Sequence, residues 1–234
     1  MSIPLRCPTP AIRRESIFRY LGCGNRPTQE VEALCDALLP EFLAALDCRA
    51  CFQEAAVTVE GNLVTLSEQE PYIRFTPYLR QLAADLAAGE TEPVRKAWKF
   101  YEFATTKVKY SFMRDYFQFD NHGEYCAVNL KGDCGLQALL MIILCRIAGI
   151  PARWQSGVSI DEDYIGGHDW MQFYVQGWGW LFADPSYGGG AYRVGAMERH
   201  AFYFGNLDPA RMVANRAYQA QLTPEKQQIP VDPY

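Results

Sequence analysis

The chain has 234 residues, 49% of them apolar and 14% aromatic, with a formal net charge of −5. This composition supplies a core of ordinary size and excludes disorder as the default, and the acidic balance gives no basic footprint for nucleic acid. No apolar run reaches the ~18 residues of a membrane span, and MSIPLRCPTPAIRRES at the start lacks the continuous apolar stretch of a secretory signal. The eight cysteines are therefore expected to be mostly reduced thiols in a cytoplasmic protein. The CRAC pair, Cys48 and Cys51, reads as structural, because no second CxxC follows and only three histidines could complete a metal site.

In chain order, Ile17, Phe18 and Leu21, then Val31, Leu34, Leu38, Leu39, Phe42, Leu43 and Leu46 recur at helical spacing around GCGNRP. This predicts a short helix, a turn, and a second helix from near Thr28. AVTVEGNLVTL predicts two strands around a Gly-Asn turn. The stretch ESIFRYLGCGNRPTQEVEAL…VTVEGNLVTL is similar to the start of the activation-domain family of cobalamin-dependent methionine synthases. That likeness implies an appended module and, as one expectation, a corrinoid-related accessory role. PYIRFTPYL reads as a linker or surface wrap. The expected division is a helical and hairpin extension over 1–70, a core over 71–216 and a tail over 217–234.

Pro93 suits a first helical turn, and Val94, Ala97, Trp98, Tyr101 and Ala104 or Thr105 keep one face of the helix that follows. Ser111 to Asp133 reads as an irregular aromatic loop. From Leu136 to Ala148 only Gln137 and Arg146 are strongly polar, which predicts a helix buried on most sides and stopped by Gly149 and Pro151. ARWQSGVSI, DWMQFYVQG and WGWLFADPS then predict three strands.

Thiol catalysis needs a thiolate, an imidazole to exchange protons with it, and a group that fixes the imidazole tautomer. Cys134 opens the buried helix, where the N-terminal dipole is expected to bring its thiol below the free value of about 8.5. His168 opens a strand and Asp184 closes the next one. An antiparallel hairpin centred on Gln176 sets His168 opposite Asp184. Trp170 and Gln172 share the face of His168, and Trp180 and Phe182 that of Asp184, forming an aromatic floor, and Trp170, Gln172, Asn129 and Tyr125 are the residues expected to bind substrate. Alternation turns Asp169 to the opposite face, which argues against it as the orienting carboxylate. His122 and His200 are weaker candidates for the base.

GDCGLQALLMIILCRIAGIPARWQSG followed by GHDWMQFYVQGWGWLFADPSYG resembles the core of the transglutaminase-like superfamily, whose bacterial members include cysteine proteases. The resemblance implies an α+β, papain-like fold in which the cysteine-bearing helix packs on an antiparallel sheet. It also implies that Cys134, His168 and Asp184 form the catalytic triad. The backbone N–H of Cys134 is the expected first oxyanion donor. The second would be a side chain upstream of Gly132, with Asn129, Tyr125 and Trp98 as candidates and core packing the better role for Trp98. RHAFYFGNLDPARMVAN resembles the ending of bacterial members and would pack close to the core. The expected chemistry is acyl transfer on a peptide or amide through a thioester, completed by water (hydrolysis) or an amine (transamidation), with no cofactor or metal. The competing reading is a peptide-binding module that keeps the fold without turnover.

Overall fold

The computed structural model describes residues 66–113, 116–161, 164–176 and 178–218. The helices and hairpin expected before residue 66, and most of the tail, lie outside them. The elements run α1 (Pro77–Leu86), α2 (Pro93–Lys107), β1 (Lys109–Tyr110), α3 (His122–Asn129), β2 (Lys131–Gly132) and α4 (Cys134–Ile147). Then come β3 (Ala152–Asp161), β4 (Tyr164–Val175), β5 (Gly179–Ala183), α5 (Pro185–Arg193), α6 (Met197–Phe202), β6 (Phe204–Gly205) and β7 (Arg211–Asn215).

The fold is α+β. Five strands form an antiparallel sheet in the order β6-β5-β4-β3-β7, and α4 packs across β3 and β4. Short connections join β3, β4 and β5 as neighbours, as antiparallel pairing allows. Leu136, Leu139, Leu140, Met141, Ile142, Ile143 and Leu144 are all fully buried. Each contributes about 1.5–3 kcal/mol by leaving water. The sheet answers with Ala152, Trp154, Met171, Phe173, Leu181 and Ala183, all buried and all on one face by alternation. The two polar side chains of α4 are satisfied: Gln137 donates to the Gly132 carbonyl at 2.9 Å and Arg146 to the Ala152 carbonyl at 3.0 Å. Gly149, at φ 78, ends the helix as expected.

Two expectations are corrected. The linker reading of PYIRFTPYL breaks down at Pro77, which starts α1 with the Thr76 hydroxyl accepting from the Leu79 N–H. A proline that reads as a breaker is here an N-terminal helical residue. The aromatic loop from Ser111 to Asp133 contains α3, capped by the Asn121 side chain.

Gly157 on β3 sits where the register with β7 shifts, and a Cβ there would overlap the Met212 carbonyl. Only glycine admits β7 this closely, and β7 begins with Arg211, which reaches the site described next.

Candidate active site

Asp133 precedes α4 and accepts the Leu136 N–H at 3.1 Å, which fixes the helix start and leaves Cys134 in its first turn. The Tyr116 hydroxyl donates to the same Asp133 carboxylate. A Cβ at Gly135 would collide with the Tyr116 hydroxyl and crowd Asp169 Oδ2 and Trp154, so the residue after the cysteine must be small.

Cys134 Sγ donates to Asp169 Oδ2 at 3.6 Å. Asp169 thus faces the thiol, while its neighbour His168 turns to Asp184, and among the described residues no hydrogen bond joins the thiol to the imidazole. His168 Nε2 lies 2.7 Å from Asp184 Oδ2, a buried pair, so Asp184 is the carboxylate that orients the ring. His168 is the fifth residue of β4, not its first, and Asp184 caps α5 instead of closing β5. Pro185 directs this: with no N–H, it suits the first helical position. Asp184 Oδ1 accepts the Tyr187 N–H at 2.9 Å.

The hairpin register also differs from expectation. Met171 pairs with Ala183 and Val175 with Gly179, so the turn is centred one residue later than Gln176. Continued by one more pair, this register sets Asp184 opposite Trp170 and diagonal to His168, on the same face and within reach. Gly179, at φ 82, accommodates the three-residue turn.

Arg211 Nη1 donates to Asp184 Oδ2 at 2.9 Å, and its Nη2 to Asp208 Oδ2 at 2.8 Å. Its side chain is only 2% exposed. Burial alone would raise the Asp184 carboxyl, but His168, Arg211 and the Tyr187 N–H outweigh it and hold the group below the usual carboxylate range. On the other side of β4 burial is less opposed. It raises Asp169 to about 6, with the Asp133 charge adding to it and His168 opposing.

The expectation of a lowered thiol value is overturned. Burial, then the Asp169 and Asp133 charges, push the Cys134 thiol up. Cys134 is 9% exposed, and desolvation with two adjacent carboxylates outweighs one helix terminus.

Trp170 is fully buried behind His168, ring centroids 6.0 Å apart, with its indole N–H on Gln155 Oε1 at 2.6 Å. Gln172 accepts from Arg153 Nε at 2.9 Å. Both side chains are buried and bonded within the protein, so, against expectation, they are not placed to meet a substrate. Asn129 donates to the Tyr125 carbonyl at 2.8 Å, and Tyr125 stacks on Phe119 at 3.9 Å. Trp98 packs on Phe204 and His200, a core role. His122 bridges the Tyr116 carbonyl and the Tyr218 hydroxyl. His200 meets Thr105 Oγ1 at 2.8 Å, and burial lowers it to about 4. A cavity of about 360 Å³ bounded by Trp98, Phe103, Tyr192, Met197 and His200 includes none of Cys134, His168 and Asp184.

Sequence reasoning passed over Asp133, Tyr116 and Arg211. An aspartate directly before an apolar helix is an N-cap signal that could have found Asp133. No local pattern marks the other two.

Residues 80–185 match the family model of the transglutaminase-like superfamily. This segment, a little under half of the chain, is similar to a transglutaminase-like core. Arg211 lies beyond the matched segment. Among solved structures, the chain is similar to a proposed cysteine protease from Cytophaga hutchinsonii, with 22% identity, 56% of this chain, 44% of that one and a TM-score of 0.48. It is also similar to the periplasmic domain of TgpA from Pseudomonas aeruginosa, with 20% identity, 58% of this chain, 50% of that one and a TM-score of 0.45. The chain spans about half the length of these relatives. No curated protein matches. No helix among the described residues is long and apolar enough to cross a membrane.

Proposed function

We propose that this transglutaminase-like core performs cysteine-dependent acyl transfer on a peptide or amide, with Cys134 as nucleophile, His168 as acid and base, and Asp184 as the group that orients the ring. One observation carries the reading: a buried imidazole–carboxylate pair at 2.7 Å is borne by the strand residue next to the one that touches the helix-terminal thiol. With Nε2 engaged by Asp184, Nδ1 is the nitrogen left to take the thiol proton. The sulfur attacks the carbonyl, and the tetrahedral oxygen is met by the backbone N–H of Cys134. The imidazolium then gives its proton to the leaving amine, which departs from a thioester. Water or an amine resolves the thioester after giving its proton to the ring. The thiol must first leave Asp169, so the resting arrangement precedes the reactive one. The described cysteines, Cys126, Cys134 and Cys145, are free, which suits action in the cytoplasm.

A second reading, a peptide-binding module without turnover, is favoured by the burial of Cys134 and His168, at 9% and 7% exposure. Turnover of a peptide and amide library decides between them. Catalysis predicts activity that Cys134→Ala abolishes with little change in melting temperature. Wild type and variant equally inert, yet both retaining peptides, would establish the binding module.

A further inference from the structure

We propose that Arg211 is a positioning residue for this site: it shares one oxygen of Asp184 with His168 and so sets how strongly that carboxylate draws a proton onto the imidazole. The inference rests on the acyl-transfer reading. Asp184 has two side-chain oxygens and three partners. Oδ1 accepts the Tyr187 N–H and the His168 and Arg211 bonds converge on Oδ2, at 2.7 and 2.9 Å. A guanidinium does not give up its proton, so a permanent cation stands at the oxygen where an imidazolium would form. Two cations on one oxygen repel, and the carboxylate's hold is divided between them.

Arg211 cannot easily swing away. Asp208 holds it through Nε at 3.2 and 3.1 Å and through Nη2 at 2.8 Å. Its guanidinium carbon lies 4.1 Å from the centre of the Tyr187 ring, which in turn lies 4.6 Å from the His168 ring. The approach of β7 that delivers it depends on Gly157. The charged and titratable groups around His168 are Asp184 and Tyr187 from the start of α5, Arg211 from β7, and Asp208 and Tyr203 just before it. Asp169 on its own strand, and Cys134 and Asp133 at the start of α4, complete the set. Arg211 is the cation of that set, and it touches the carboxylate directly.

The test follows the histidine C2–H resonances through a pH titration, which is practical because the chain has three histidines. Arg211→Met removes the charge and keeps the volume. It should raise the His168 midpoint by about one unit, a tenfold change in proton affinity, leaving His122 and His200 in place as internal references. Arg211→Lys should restore the wild-type midpoint. Should Arg211→Met fold poorly, the double variant Arg211→Met, Asp208→Asn leaves no carboxylate orphaned on the Asp208 side and gives the same readout. A His168 midpoint unmoved in the charge-free variants, or moved equally by lysine, overturns the proposal and makes Arg211 a structural pin. The underlying reading is judged separately, by whether His168→Gln changes the pH dependence of Cys134 alkylation.

Discussion

His168 and Asp169 are consecutive, yet their side chains occupy opposite electrostatic settings. On the His168 side, a fully buried carboxylate is matched by an imidazole, a guanidinium and a helix N-terminus, and is held below its ordinary range. On the Asp169 side, a buried carboxylate faces a thiol and a second carboxylate, Asp133, and is raised to about 6. Burial is common to both, so the difference lies in the partners. One side is organised to keep a charge and the other to resist one. That contrast explains how a helix-terminal cysteine, usually an activated one, rests here as a thiol.

The contrast can be broken most severely at Asp184. Asp184→Asn keeps the shape but removes the charge that selects the tautomer, and kcat/KM for any substrate that wild type turns over should fall about 10²- to 10⁴-fold. A loss under tenfold would reduce Asp184 to the cap of α5. The next largest effect is expected at Asp169. Asp169→Asn removes the negative charge beside the sulfur, so the thiolate forms more readily, and Cys134 alkylation by iodoacetamide at pH 7 should speed up about tenfold. An unchanged or slower rate would mean that Asp169 does not restrain the thiol. Gly135→Ala pushes a methyl group at the Tyr116 hydroxyl. It should alter Cys134 alkylation severalfold at most, while Tyr116→Phe with Gly135→Ala should relieve part of that change.

The smallest effect is on stability, and its sign is opposite for the two carboxylates. Asp169 is raised in the folded state, so its ionised form costs stability above about pH 6, and the cost fades as pH falls towards about 4. Asp169→Asn should therefore melt a few degrees, about 2–4 °C, above wild type at pH 7.5, with the gap closing by pH 4. Asp184 is depressed, so it contributes stability above the unfolded carboxylate value of about 3.9 that is lost as pH falls further. Thermal melts of Asp184→Asn should accordingly approach wild type only in strong acid.

Much of this was legible in the residues. The apolar run from Leu136 to Leu144 could only be a buried helix, and the even spacing of 168, 170 and 172 fixed their common face. The facing of His168 and Asp184 survived an error in the turn because a shift of the hairpin centre by one residue moves cross-strand partners by two and preserves the face. Alternation likewise separated Asp169 from His168 but was silent on what stood across from it. Helix α3 was missed because HGEYCAVN is short and shows no clean apolar period, its start being marked chiefly by Asn121. Arg211 could not be read at all. Its role depends on a strand arriving from the far edge of the sheet, which no window of neighbouring residues records.

Gly157 shows how far such an arrangement extends through the molecule. Any side chain there would meet the backbone of β7 and lift the strand from β3. Arg211 would be carried off with it, although nothing at Gly157 takes part in the chemistry. A saturation screen scored by Cys134 reactivity should therefore rank position 157 beside His168 and Asp184, whereas a screen scored by folding alone should rank it with ordinary sheet glycines.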